Sequence, residues 1–240
     1  MNIHFINGKA DYGGAIYGGC KCNVRIVNCN FTSNTGKQGG AVYINNNSCL
    51  SVINCIFSVN TAAYGGAIYC AKNTDLKIED SKFSLNIAEY NGGAIYIDKN
   101  STINVNNCSF DFNVATNGGA LYSSDDCKGI VKTSDFNNNT CTPESKTGLI
   151  AAYIAGIVPC MIMGAAMGAI IGAETIPLVG AIIGAAIGAV VGAIFGGVIF
   201  WKSWNSDNSK GNVLLSSENI EFTDCQVDGK NKGGKFTIID

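Results

Sequence analysis

Residues 91–98 read NGGAIYID and contain a five-residue word that the 240-residue chain uses five times with small variations. The Gly-Gly pairs of these words begin at residues 13, 39, 65, 92 and 118, so they return after 26 or 27 residues. Self-similarity at a fixed period of this length indicates stacked structural repeats. A unit this short cannot bury its own apolar side, and we therefore expect each unit to pack against its copies.

A second pair of residues repeats in phase with the Gly-Gly words. Each unit has a phenylalanine and, three positions later, an asparagine: Phe31, Phe57, Phe83, Phe110 and Phe136, with Asn34, Asn60, Asn86, Asn113 and Asn139. Around each phenylalanine, apolar and polar residues alternate, as in Leu50, Val52, Cys55 and Phe57. This spacing predicts short β-strands, because a helix requires an apolar stripe with a period of about 3.6 residues.

Together the two patterns predict an all-β fold, a right-handed parallel β-helix of about five coils over residues 3–140. Equivalent residues then lie above one another at about the 4.8 Å spacing of neighbouring strands. We expect the phenylalanines to form one internal column and the asparagines to bond the coils above and below. Gly-Gly is expected to turn the same corner in every coil, because glycine adopts backbone angles that are barred to other residues.

A further column is predicted from small residues at equivalent positions, namely Cys29, Cys55, Ser81, Cys108 and Ser134. Serine replaces cysteine in two of the five units, so we expect free, buried thiols and not disulfides between coils. Cys20 and Cys22 form a Cys-x-Cys pair in a predicted loop. With no histidine nearby, we predict no metal site there and no cofactor elsewhere.

Composition narrows the classes of function. Residues 1–147 contain eleven basic and eleven acidic residues, so no basic patch favours nucleic acid as a partner. Arg25 and His4 are the only arginine and histidine, which leaves little for phosphate binding or imidazole chemistry. The first residues lack the basic and apolar regions of a signal peptide. We expect either that targeting uses a later hydrophobic block or that the chain begins inside a larger gene product.

The joint repetition of GGA[ILV] and F-x-x-N resembles the repeat of the polymorphic outer membrane proteins of chlamydiae and of related adhesin-like β-helix proteins. The resemblance covers about residues 1–140 and implies a right-handed parallel β-helix with an adhesin-like role. The chain departs from that family after this region, where a hydrophobic block follows. Secreted or membrane-held β-helix proteins anchored by helices are more similar to it in this respect.

Residues 148–201 form the hydrophobic block, in which Glu174 is the only charged residue. The sequence ETIP at 174–177 divides it into segments 148–173 and 178–201. As helices at about 1.5 Å per residue, each spans roughly 36–39 Å, enough for a bilayer core of about 30 Å. We therefore predict an α-helical transmembrane hairpin, with a single span near 178–201 as the alternative.

Small residues recur at every fourth position of this block, a spacing that lets two helix backbones approach closely. The glycines in this series are Gly164, Gly168, Gly172, Gly180, Gly184, Gly188, Gly192 and Gly196. The pattern resembles the glycine-zipper segments of small membrane proteins. It predicts an anchoring hairpin that contacts membrane lipid, with self-association or pore formation as the alternative.

Residues 202–240 return to a polar composition and form the third part of the chain, after residues 1–147 and 148–201. Ile220, Phe222, Cys225 and Val227 repeat the strand spacing of the earlier units. The tail is therefore predicted to contain one degenerate coil. If that coil lies on the same side of the membrane as residues 1–147, the chain must cross the bilayer an even number of times.

These features predict a membrane-anchored, surface-displayed, adhesin-like or structural binding protein without catalytic activity. A candidate binding stripe consists of the tyrosines of the repeated word: Tyr17, Tyr43, Tyr69, Tyr96 and Tyr122. In register, these rings are candidates to stack on cell-surface glycans or proteins, although tyrosines in strands also serve in packing. We expect the β-helix to face the outside of the cell, although Lys146 and Lys202 flank the block and favour the cytoplasmic side.

Two other classes of function remain open from the sequence. Parallel β-helices also carry polysaccharide lyases and hydrolases, whose chemistry needs clustered carboxylates. Asp125 and Asp126 are the only adjacent aspartates, and Asp98 is the nearest acidic residue in the preceding unit. A solvated loop accounts for them more simply. The second class is a membrane pore, for which the glycine series is the only support.

Overall fold

The computed structural model describes residues 3–141, 214–215, 219–227, 231–232 and 235–237. Their regular structure is β-strand, and each strand pairs in parallel with the equivalent strand of a neighbouring coil. The prediction of an all-β parallel β-helix with about five coils is confirmed. The described part of the chain offers no helix of the length and apolarity that a membrane span requires.

Five complete coils occupy residues 3–133. The first has β1 (Ile3–Ile6), β2 (Ile16–Gly18) and β3 (Asn23–Val27), and the second has β4 (Cys29–Thr32), β5 (Val42–Ile44) and β6 (Cys49–Ile53). The third has β7 (Ile56–Ser58), β8 (Thr61–Tyr64), β9 (Ile68–Cys70) and β10 (Asp75–Glu79). The fourth has β11 (Lys82–Ser84), β12 (Ile87–Asn91), β13 (Ile95–Ile97) and β14 (Thr102–Asn106), and the fifth has β15 (Ser109–Asp111), β16 (Val114–Ala115), β17 (Leu121–Ser123) and β18 (Lys128–Lys132).

A sixth coil is divided by a long insertion in the sequence. It begins with β19 (Asp135–Asn137) and β20 (Thr140–Cys141) and continues with β21 (Leu214–Leu215) and β22 (Asn219–Thr223). The short strands β23 (Gln226–Val227), β24 (Asn231–Lys232) and β25 (Lys235–Thr237) follow. The tail therefore has two parts. Strands β21 and β22 complete the coil that β19 and β20 begin, and the strands that follow them stack on that coil.

The coils stack into four parallel sheets that run along the helix. The first sheet contains β1, β4, β7, β11, β15, β19 and β23, and the second contains β8, β12, β16 and β20. The third contains β2, β5, β9, β13, β17, β21 and β24, and the fourth contains β3, β6, β10, β14, β18, β22 and β25. Equivalent residues pair directly, as Phe57 does with Phe83 and Tyr69 with Tyr96. The register therefore follows the period of the sequence.

The phenylalanine column lies inside the coils on the first sheet. Phe31, Phe57, Phe83, Phe110 and Phe136 are fully buried, and their rings stack at centroid distances of 4.5–4.9 Å with interplanar angles of 2–6°. Phe5 extends the column by one ring at 4.8 Å. Stacked aromatic pairs stabilise by about 0.5–1.5 kcal/mol beyond the burial of their area, so the column contributes to the cohesion of every coil.

The asparagine ladder is buried beside this column. Asn86 donates from Nδ2 to the carbonyl oxygen of Phe57 and to Oδ1 of Asn113, both at 3.0 Å. Its own Oδ1 accepts from the backbone N–H and the Nδ2 of Asn60, at 3.1 and 2.9 Å. Both donor hydrogens and the acceptor oxygen of the amide are thus used. Asn86 therefore joins three successive coils.

The cysteine and serine column forms a second hydrogen-bonded ladder. Cys55 N–H donates to Ser81 Oγ and Cys108 N–H donates to Ser134 Oγ, both at 3.1 Å, while Cys29 N–H approaches Cys55 Sγ at 3.5 Å. The three cysteines are buried free thiols. Serine and cysteine can replace one another because either side chain accepts a backbone N–H from the coil before.

The corners of the coils require the left-handed region of backbone space. The first glycine of each repeated word has a positive φ, which is 63° at Gly65. A Cβ on the next residue, Gly66, would lie 2.1 Å from the carbonyl oxygen of Gly93, so the second position is also restricted to glycine. Asparagine serves at other corners, but Val59 has a φ of 58°, which is a strained angle for a β-branched residue.

The predicted transmembrane segments at 148–173 and 178–201 lie outside the described residues. The same is true of the glycine series from Gly164 to Gly196. The hairpin and the glycine zipper stay predictions.

We expect Asn86→Ala to lower the free energy of unfolding by roughly 3 kcal/mol or more. The substitution leaves buried groups without partners, including the carbonyl oxygen of Phe57 and the backbone N–H of Asn60, and each costs about 1–3 kcal/mol. Urea denaturation followed by far-UV circular dichroism measures the change. Asn104 on β14 is exposed, and Asn104→Ala is the matched control, expected to change stability by less than about 0.5 kcal/mol. Equal effects of the two substitutions would contradict the structural role of the ladder.

Candidate binding surface

The tyrosines of the repeated word form one column on the outer face of the third sheet. Tyr17, Tyr43, Tyr69, Tyr96 and Tyr122 occupy the central positions of β2, β5, β9, β13 and β17. Adjacent rings are nearly parallel, with centroid distances of 4.7–5.5 Å and interplanar angles of 4–11°. The structure thus brings all five predicted stripe residues together.

The rings differ greatly in their exposure to solvent. Tyr17, at the end of the column, is 56% exposed, whereas Tyr43 and Tyr69 are only 8% and 7% exposed. Tyr96 and Tyr122 are half-buried. The column is therefore open at its first ring and nearly covered at the second and third.

A second row of tyrosines accounts for part of this burial. Tyr12 meets Tyr43 edge-on at 5.0 Å, and Tyr64 meets Tyr96 edge-on at 5.8 Å and Tyr90 at 5.1 Å. Tyr43, Tyr69 and Ala71 form an apolar cluster outside the main core, and Tyr64 and Tyr96 pack against it. The sequence interpretation missed this row, although Tyr12 and Tyr64 each directly precede a Gly-Gly pair. Their shared position before the Gly-Gly pair was the feature of the sequence that could have predicted this second row.

The stacking limits how a partner can contact the column. Adjacent tyrosine rings stack face to face, so a sugar ring has no room to insert between them. A partner meets the edges and hydroxyl groups of Tyr43 and Tyr69. At the first coil, Tyr17 and the 50% exposed Tyr12 offer the most accessible aromatic surface of the column.

Burial also affects the acidity of the tyrosines. It raises the pKa of Tyr43, Tyr69, Tyr96 and Tyr122 above the ordinary value, because the phenolate form loses hydration. The charges of neighbouring aspartates act in the same direction. For Tyr122 the second cause after burial is Asp125. The surface around the column is thus one on which negative charge is disfavoured.

The acidic residues considered for catalysis lie beside the column, in the loops that follow the third sheet. Asp125 and Asp126 are exposed, and Asp125 is 3.6 Å from the Nζ of Lys99. Oδ1 of Asp98 accepts the backbone N–H of Lys99 at 2.8 Å. Asp126 has a φ of 61° and turns the loop. These contacts give the carboxylates roles in loop structure.

The remaining predicted residues lie away from this surface. The phenylalanines and asparagines are inside the coils, and Cys20 is an exposed thiol near the half-buried Cys22. Within residues 3–141 and the described part of the tail, no three histidine, cysteine, aspartate or glutamate side chains converge as a metal site requires. Burial raises the pKa of the Cys108 thiol to about 11, so it is poorly reactive at neutral pH.

Comparison with known proteins identifies one family. Residues 2–155 match the family described as a right-handed β-helix region, and these residues make up more than half of the chain. No curated protein and no solved structure matches the chain.

We expect the tyrosine titration of the folded chain to extend to higher pH than that of the unfolded chain. The buried tyrosines ionise above about 10, so their contribution to stability is complete below that pH and is lost as the pH rises towards their folded values. Phenolate absorbance measures the titration, with the chain in urea as the control. Tyr69→Phe is expected to remove part of the late phase and to weaken the loss of stability at alkaline pH. Coincident curves for the folded and unfolded chains would contradict the burial of the column.

Proposed function

Because the chain belongs to the right-handed β-helix family, we propose that it is a non-catalytic binding or structural protein, membrane-anchored and displayed at the cell surface in an adhesin-like role. The observation that carries this proposal is the rigid column of tyrosines along the outer face of the third sheet. Tyrosine offers a large contact area and a polar group while losing little conformational freedom on binding. The expected partners are cell-surface glycans or proteins, and not nucleic acid.

The contacts of the acidic residues favour binding over catalysis. A lyase or hydrolase needs carboxylates held at a substrate as an acid and base, or around calcium. Asp125 and Asp98 instead contact Lys99 through its ammonium group and its backbone N–H. An enzyme of the polysaccharide-active class is the alternative, since the fold itself serves both kinds of protein.

The path of the sixth coil supports membrane attachment by a hairpin. Cys141 pairs with Ala115 and Leu214 pairs with Leu121, so the strands on both sides of the insertion stack on the fifth coil. In the fifth coil, only residues 116–120 connect these two positions. The two ends of the insertion are therefore neighbours, and they lie on the same side of any membrane that the insertion enters.

This arrangement favours two crossings over one. A single span near 178–201 would separate Leu214 from the coil with which it pairs, whereas spans at 148–173 and 178–201 return the chain to its starting side. Glu174 to Pro177 then form the turn. The glycine series gives the two helices a close packing surface and a route to self-association. Leakage of liposomes caused by the full chain would instead favour the pore alternative.

Liposomes that carry the full chain are expected to adhere to a panel of cultured cells several-fold more than empty liposomes do. Tyr12→Ser combined with Tyr17→Ser is expected to reduce adhesion, because these are the most exposed rings of the surface. Asn104→Ala, on the exposed face of the fourth sheet, is the matched control and should leave adhesion unchanged. Adhesion no greater than that of empty liposomes to every cell type would refute the proposed function.

Thiol labelling in intact cells tests the topology. Ser145→Cys and Ser209→Cys are made separately in a chain whose Cys20, Cys22, Cys49, Cys160 and Cys225 are replaced by serine. The buried cysteines of the coils are retained because they support the fold. We expect an impermeant maleimide to label both new thiols in intact cells, with lysed cells as the control. Labelling of one site alone would exclude the hairpin, and labelling of both only after lysis would place the β-helix in the cytoplasm.

A further inference from the structure

The hydroxyl groups of Tyr17 and Tyr96 make the same kind of contact. Each meets the residue that lies two positions after the tyrosine of the next coil. Asn45 Nδ2 donates to the Tyr17 hydroxyl oxygen at 3.1 Å, and the hydroxyls of Tyr96 and Ser124 lie 3.2 Å apart. These residues belong to a second outward column, which consists of Asn45, Ala71, Asp98 and Ser124.

This contact is absent at the two most buried tyrosines of the column, Tyr43 and Tyr69. The position that corresponds to the Tyr43 hydroxyl is Ala71, which has no polar side chain. For Tyr69 it is Asp98, whose Oδ1 already accepts the backbone N–H of Lys99. Within the described residues, neither hydroxyl has a hydrogen-bond partner, although both side chains are more than nine-tenths buried.

A hydroxyl that makes no hydrogen bond within the protein contributes little to the stability of the folded state. Phenylalanine at either position would keep the same stacked ring. The fold therefore gives no reason for a hydroxyl at Tyr43 or at Tyr69. A ligand that bonds to both hydroxyls does give one, and their adjacent rings are 5.3 Å apart.

The surroundings define the chemistry of such a ligand. It must bond to two phenols, each of which can donate or accept, and it must donate to the carboxylate of Asp98. The hydroxyls of a sugar do both. Asp98 repels an anion, and Asp125 is already paired with Lys99, so a neutral ligand fits best. A protein partner fits less well, because interface hot spots need exposed apolar area and the two rings are buried.

We propose that the hydroxyls of Tyr43 and Tyr69, together with the carboxylate of Asp98, bind a neutral glycan edge-on across the second, third and fourth coils. This inference rests on the proposed binding function and assigns its ligand and contact residues. The glycan lies over Ala71, whose small side chain leaves room between the polar groups. It extends towards the exposed ring of Tyr17.

Binding of oligosaccharides to the full-length chain tests the site. The probes are neutral cello-, manno- and chito-oligosaccharides, with oligogalacturonate and heparin as anionic counterparts. We expect at least one neutral probe to bind and the anionic probes not to bind. In the variant Tyr43→Phe with Tyr69→Phe, the affinity for that probe should fall roughly tenfold or more, as expected from the loss of two hydrogen bonds.

The same variants are compared for thermal stability. The double variant should be as stable as the natural chain or more stable, because it removes two unpartnered hydroxyls. Ser134→Ala is the control, because Ser134 lies inside the coils. It removes a hydroxyl that accepts from the backbone N–H of Cys108 and donates to the carbonyl oxygen of Lys132, so it should lower the melting temperature and leave the affinity for the glycan within about twofold.

Three results would contradict the proposed glycan site but would leave the wider binding function possible. They are unchanged glycan affinity in the double variant, a loss of stability in the double variant as large as that of Ser134→Ala, or cell adhesion without binding of any neutral probe. If the natural chain neither adheres to cells nor binds any glycan probe, the proposed function itself is contradicted. Shortening of a bound oligosaccharide would replace binding with catalysis.

Discussion

The buried asparagine ladder is the interaction on which the rest of this structure depends. An amide inside an apolar core is tolerated only when all its donors and acceptors are paired. In this fold the partners of Asn86 come from the coil before and the coil after, so pairing requires stacking in one register. A shift of one residue would turn the asparagines outward and break every one of these bonds. The ladder thereby fixes the position of all the other columns.

The same register shapes the outer surface. Because equivalent residues must lie above one another, the tyrosines of the repeated word stack almost as closely as the phenylalanines inside, at 4.7–5.5 Å compared with 4.5–4.9 Å. Stacking gives them rigidity, but it consumes the ring faces that an isolated tyrosine offers to a sugar. What the column presents to a partner is a row of edges and hydroxyl groups, with an open aromatic face only near Tyr17. The register that the asparagine ladder requires therefore also determines which parts of the tyrosines a partner can contact.

The stack also tolerates a large interruption. Each coil contacts only its neighbours, so an insertion at one corner disturbs the sheets little as long as the chain resumes in register. In the sixth coil, the segment between Cys141 and Leu214 takes the place of residues 116–120 of the fifth coil, which include its Gly-Gly pair. A hydrophobic block placed there is held at both ends by the β-helix.

The sequence alone determined the parallel coils, their approximate number and most members of each column, because the period of 26 or 27 residues and the alternation of two strongly restrict how the units can stack. It could not determine the burial of Tyr43 and Tyr69, which depends on Tyr12 and Tyr64 from the corners and not on the stripe itself. Nor could it show which hydroxyls lack partners, since each partner comes from another coil, at a distance set by the turns between. The continuation of the sixth coil after residue 213 was likewise decided by tertiary structure, because only strand pairing reveals that two distant segments share one coil.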